Sequence, residues 1–154
     1  METKTYTADP QTIPDQCIAF NIGKAYRSVI HRFEQRFAAD TSVSTSQYGL
    51  LVHIAKLEPA NGRTICAATG HDPSTLSRNL HGLIESGLVE ACRSCAEDRR
   101  VINYTLSERG RSRLAEAIPV WAEVQAEILR RLGEKKSHRL LSILRELQEI
   151  DGEA

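Results

Sequence analysis

Residues 72–110 read DPSTLSRNLHGLIESGLVEACRSCAEDRRVINYTLSERG, and the residue at each junction suits one order of elements: helix, stop, strand, charged turn, strand, helix. The Asp72 carboxylate can cap a helix, and Pro73 fits the first helical position, where a missing N–H costs nothing. Gly87 stops that helix, because glycine tolerates the left-handed conformation a helix end requires. Leu88-Val89 opens one strand, and Val101, Ile102 and Tyr104 supply a second. Between them, residues 93–100 form a charged hairpin tip. Ser107 caps the next helix, and Glu108 complements its positive end.

The helix that starts at Pro73 has two chemically different faces. At roughly 100° per residue, Leu76, Leu80, Leu83 and Ile84 share one of them. Ser74, Thr75, Arg78 and His81 lie opposite, with Ser77 and Asn79 at the flanks. Short hydroxyls and an arginine allow close backbone approach and supply donors for base edges and phosphates. Helix and ribbon together can put a helix in the major groove of DNA and an arginine in the neighbouring minor groove.

Upstream, a short helix over about Arg63–Thr69 ends at Gly70, only about three residues before the capped helix, which makes the pair a helix-turn-helix candidate. Ser44-x-x-Gln47 reads as a capping box for a helix carrying Tyr48, Leu51, Ile54, Ala55 and Leu57. Pro59 and Asn61-Gly62 are expected to end that helix in a turn. Pro14-Asp15 opens a first helix running to about Ala39, with Ile18, Ile22, Tyr26, Val29, Ile30, Phe33 and Phe37 at helical spacing. Residues 1–14 are expected to be a flexible arm. Downstream of Ser107, Leu114, Ile118, Trp121, Val124, Ile128 and Leu132 form the stripe of a long helix that Pro119 should kink and Gly133 should break. A last helix carries Leu140, Leu141, Leu144, Leu147 and Ile150.

The expected fold is mainly α with a small β-hairpin wing: a winged helix-turn-helix domain plus a helical dimerisation region. At 154 residues the chain is read as one domain, 15–154, after the arm. Residues 15–40 and 108–151 are its dimerisation helices, and 44–107 its winged lobe. The terminal helices are more apolar than a small winged domain needs, and a second copy is the economical way to bury them. Such a symmetric dimer sets two helices about one DNA turn apart, ~34 Å, and reads a palindrome.

No apolar run approaches ~18 residues, and the first residues have no signal-peptide core, so the expected location is the cytoplasm with no membrane contact. Net charge is zero, but the field near the ribbon is not. From Arg93 to Arg113 there are six arginines against three acids, and phosphates respond to charge within a Debye length, ~8–10 Å.

SQYGLL at 46–51, DPSTLSRNLHGLIESGLVE at 72–90 and EDRRVINYTLSERGR at 97–111 together resemble the MarR family of bacterial transcription regulators. Asp98, Arg100 and Ser107 match the family's wing motif, an Asp-x-Arg placed nine residues from its Asp to a helix-capping Ser or Thr. The resemblance runs from about Asp15 to Ile150. It implies a homodimeric, sequence-specific regulator of double-stranded DNA, a repressor released by a small-molecule effector. Ser74, Thr75, Ser77, Arg78, Asn79 and His81 would then face the major groove or its phosphates. Arg99 and Arg100 would contact DNA from the wing, with Asp98 bracing it. For His81, plain surface placement is an equal alternative. The resemblance also implies an effector site between the dimerisation helices and the winged lobe, lined from the first, second and fifth helices. Tyr26, His31, His53 and Trp121 are the candidates to meet a small aromatic or anionic ligand there, with ordinary packing or surface as the alternative. The wing departs from a common family pattern. Cys-Arg-Ser-Cys-Ala-Glu stands where many members have Pro or Gly before Asp-x-Arg.

Two further readings stay open. One makes the chain a thiol-based redox sensor of the same fold, through Cys17 at a helix start or through the Cys92-x-x-Cys95 pair. Against it, Cys17 also reads as a small apolar residue at a dimer interface, and the pair as incidental. The other reading is a helical adaptor that binds protein. No metal or cofactor is expected, since Cys92-x-x-Cys95 lacks the second closely spaced pair that tetrahedral zinc uses. No enzyme motif is present: neither a glycine-rich phosphate loop nor HExxH.

Overall fold

A computed structural model describes residues 9–93 and 101–150. Helix α1 spans Ile13–Gln16 and α2 Ile18–Asp40. Helix α3 spans Thr45–Leu57, strand β1 Ala60–Asn61, α4 Gly62–Thr69 and α5 Pro73–Glu85. Strands β2 (Val89–Arg93) and β3 (Ile102–Leu106) follow, then α6 (Glu108–Leu132) and α7 (Glu134–Gln148). No helix among the described residues is long and apolar enough to cross a membrane.

The expected first helix is in fact two. Cys17 is extended, at φ −74° and ψ 115°, and separates α1 from α2. The Asn21 side-chain amide donates to the carbonyls of Pro14, Asp15 and Cys17 at 3.1, 3.3 and 2.9 Å, so the Pro14 and Asp15 carbonyls, which a continuous helix would satisfy from its own backbone, are held by a side chain. Cys17 therefore sits at a joint, as the residue that precedes the long helix.

Local signals hold through the centre of the chain. The Ser44–Gln47 capping box forms in both directions. Gly70 and Gly87 end α4 and α5 at φ 69° and 67°. Asp72 accepts from the Ser74 and Thr75 backbone N–H groups at 3.1 and 2.9 Å. Asn61-Gly62 is not a simple turn, however. Ala60 and Asn61 pair antiparallel with Tyr104 and Asn103, and Asn61 then caps α4 through a box with Thr64. The result is a three-stranded sheet, ordered β1-β3-β2, instead of a two-stranded ribbon. Val89 faces Leu106 at its base and Arg93 faces Ile102 at the far end.

One core serves the winged lobe. Leu50, Leu51 and Ile54 of α3, Ile65 of α4, Leu76, Leu80 and Leu83 of α5, Leu88 just before β2, and Val89 and Leu106 of the sheet are all buried. Phe37 joins from α2, set edge-to-face against Tyr48 with ring centroids 5.0 Å apart. Ile84, expected on the core face, is exposed instead. On helix α6, Val124 of the expected stripe is buried together with Ala117 and Val120, whereas Ile118, Trp121 and Leu132 are exposed on this single chain. It runs through Pro119 as one helix.

Helices α2 and α6 pack antiparallel. Arg32 makes a two-pronged contact with Glu127 at 2.9 Å, and Arg36, one turn on, reaches Glu123, one turn back, at 2.6 Å. Such exposed pairs contribute little stability, but they set register.

Candidate nucleic-acid interface and adjoining cavity

Helix α5 divides as its sequence requires. Leu76, Leu80 and Leu83 are buried, while Ser74, Ser77, Arg78 and His81 are exposed and Thr75 and Asn79 half-buried. Within this polar face the hydrogen bonds are ordered. Ser74 Oγ donates to Asp72 at 2.6 Å, so its proton is spent and it is left as an acceptor. Arg78 donates to Thr75 Oγ1 at 3.3 Å, which holds the guanidinium along the helix while most of its donors stay free. His81 lies 3.3 Å from Glu85, a pair that carries charge only when the imidazole is protonated. Hydrogen bonds from Ser74 and Thr75 hold the Asp72 carboxyl far below the usual carboxylate range.

The wing strands are rooted in the core at one end and exposed at the other. Val89 and Leu106 are buried at the base, whereas Glu90, Ala91, Cys92, Arg93 and Ile102 are exposed. Arg99, Arg100, Asp98 and Cys95, singled out above, lie outside the described residues.

Wing and recognition helix are tied to α6 by contacts that the sequence did not advertise. Ser107 Oγ donates to the Gly87 carbonyl at 2.7 Å and accepts from the Gly110 N–H at 2.9 Å. Gly110 is buried so closely against β2 that a Cβ there would stand 2.0 Å from the Leu88 carbonyl oxygen. Glu58 completes the junction: it accepts from the Leu106 N–H and pairs with Arg111 at 2.8 Å. Burial alone would push the Glu58 carboxyl up, but the Leu106 N–H and the Arg111 guanidinium outweigh it and hold it below its ordinary value.

A cavity of about 320 Å³ lies behind this surface. Tyr26, Ile30 and Glu34 of α2 line it, with Thr45, Ser46, Gly49, Leu50 and His53 of α3, Ala68 and Thr69 of α4, and His71 of the α4–α5 turn. It contains two of the expected pocket residues, Tyr26 and His53. The other two lie elsewhere: His31 is exposed and meets Gln35 at 2.9 Å, and Trp121 is exposed on α6. The third wall of this cavity is α4 and the turn after it, while α6 turns Ala117, Val120 and Val124 to the core. Glu34 and His71 were missed. The signal was present, since Tyr26, Ile30 and Glu34 are spaced i, i+4, i+8 on one helix face. Cys17 and Cys66 are half-buried and Cys92 is exposed on β2. No metal-binding group of three ligands occurs among the described residues.

The MarR family model matches residues 41–101, from the end of α2 to the wing. This lobe is the part of the chain that is similar to the MarR family by sequence. The MarR fold extends over nearly all of the chain. A structure of Bordetella bronchiseptica BpsR, whose DNA binding is regulated by 6-hydroxynicotinic acid, is 18% identical. The match covers 95% of this chain and 99% of BpsR, with a TM-score of 0.81. The M. tuberculosis transcriptional regulator MosR in complex with DNA is 24% identical over 87% of this chain and 97% of its own, with a TM-score of 0.73. The S. aureus MepR–DNA complex is 15% identical over 86% and 96%, with a TM-score of 0.74. No curated protein matches the sequence. The chain accordingly has the winged-helix fold of these transcriptional regulators, with its sequence likeness to the MarR family in the winged lobe.

Proposed function

We propose that this chain is a homodimeric repressor of the MarR family that binds a palindromic operator in the cytoplasm and is released by a small molecule. The observation that carries the DNA half is the division of α5, whose leucine face is buried while its arginine-bearing polar face is exposed beside a projecting wing. Ser74, Thr75, Ser77, Arg78, Asn79 and His81 would meet the major groove and its phosphates. Arg99 and Arg100 would serve the neighbouring minor groove with Asp98 bracing them, a role that rests on the family's wing motif. Residues 15–40 and 108–151 would form the dimer and 44–107 the DNA-binding lobe. The exposed apolar residues of α2, α6 and α7 support that division. The cavity supports the effector half, because an occupant would touch α2 on one side and His71, the residue before the α5 cap, on the other. Moving one against the other would change the spacing of two recognition helices.

The test is an anisotropy titration at fixed salt, on duplexes enriched by selection from random sequence. Arg78→Ala should weaken binding by about 1–3 kcal/mol and relax preference at one position of each half-site. Unchanged affinity and sequence preference would remove Arg78 from the interface. Failure to enrich any duplex would favour a partner-binding adaptor instead.

A further inference from the structure

The cavity's charge is at odds with an acidic ligand. Its lining includes one carboxylate, Glu34, and among the described residues no lysine or arginine lines it. Glu34 has no hydrogen bond or ion pair among the described residues, although α2 carries arginines that pair with acids further along, Arg32 with Glu127 and Arg36 with Asp40 and Glu123.

One imidazole adds an acceptor. His53 Nδ1 lies 2.7 Å from the Gly49 carbonyl, which can only accept, so Nδ1 carries the proton. In the neutral ring that leaves Nε2 as an acceptor. His71 Nδ1 is buried and has no hydrogen-bond partner among the described residues. Thr69, a further lining residue, has already spent its hydroxyl proton on the Ile65 carbonyl at 2.8 Å. Ile30, Leu50 and Ala68 supply the apolar wall, and Tyr26 an exposed aromatic ring.

We propose that this cavity binds a small organic cation, an ammonium or amidinium on a one-ring apolar body, with Glu34 as its counter-ion. The N–H groups would donate to Glu34 and to His53 Nε2, Tyr26 would offer its ring to the charge, and the apolar body would rest on Ile30 and Leu50. An organic acid would meet Glu34 as a like charge, with no lysine or arginine among the lining residues to offset it. This proposal rests on the effector reading above and names the ligand class for that site.

Benzamidinium, benzamide and benzoate have nearly the same shape and differ in charge, so calorimetric titration of the full chain with each isolates the sign. Benzamidinium should bind at least about tenfold more tightly than benzoate, since reversing the sign turns one attraction into a repulsion. Benzamide should fall between them. Glu34→Gln, at an exposed position, should leave the melting temperature in place, erase the preference for the cation and leave benzamide unchanged. Equal binding of cation and anion, tighter binding of benzoate, a preference that survives Glu34→Gln, or no binding of any probe at millimolar concentration would each overturn the proposal. Operator release is read separately by anisotropy. If benzamidinium binds with the expected preference and DNA stays bound, the ligand class stands and the cavity's regulatory role fails.

Discussion

The winged lobe and the terminal helices solve the same problem in opposite ways. In the lobe, α3, α4, α5 and the sheet close over one another, and Leu51, Ile54 and Ile65 have no exposed surface. On the terminal helices Ile18 is 62% exposed, Phe20 57%, Tyr26 63% and Leu140 44%. Apolar side chains on both regions follow helical spacing, yet only the lobe finds enough partners within one chain. The core is therefore centred on the lobe, and on the proposed dimer the terminal helices are the part whose stability would depend on a second copy.

The contrast breaks most visibly at Ile54. Ile54→Ala should cost about 2–5 kcal/mol of unfolding free energy, read by chemical denaturation, because the closed lobe cannot collapse into the void. A smaller loss than that of an exposed-face substitution would mean that the lobe is not the stable region. The opposite end is tested by Ile18→Ser with Leu141→Ser. These should leave the circular dichroism of the lobe intact yet weaken self-association by roughly 2–4 kcal/mol, seen as monomer in sedimentation at micromolar concentration. A dimer of unchanged affinity would assign those faces another role.

The seam between the two regions gives a third test. Gly110→Ala places a methyl against the Leu88 carbonyl. It should destabilise by about 1–3 kcal/mol and shift the wing relative to α6, as reported by amide exchange at β2. The smallest effect belongs to the Glu58 clamp. Its folded-state pKa is lowered, so it contributes stability that is present above the ordinary carboxylate pKa, ~4.3, and is lost as pH falls through the lowered value. The advantage of the native chain over Glu58→Gln in melting temperature should hold at neutral pH and fade in that acid range. A difference that does not vary with pH would rule out the clamp as an ionic one.

Much of this was legible beforehand, and residue by residue the reason is locality. Ser44 with Gln47, Asp72 with Ser74 and Thr75, and glycine at 70, 87 and 133 act on backbone groups within a few residues, so spelling is enough to place them. The leucine face of α5 and its arginine-bearing reverse followed from a period that any isolated helix would have. The α1–α2 joint at Cys17 escaped because a continuous apolar period crosses it, and only the Asn21 amide, folded back on three carbonyls, marks the break.

What the chain's spelling determined by itself is the order of helices and strands, their caps and the chemistry of the α5 surface, since those depend on near neighbours. Only the tertiary structure decided that Ala60 adds a strand beside Tyr104, that Glu58 reaches Leu106 and Arg111, that Gly110 admits the Leu88 carbonyl, and that Glu34 shares a cavity with His53 and His71. Those partners are separated by 18 to more than 50 positions, and a periodic pattern states which face is apolar without stating what it meets.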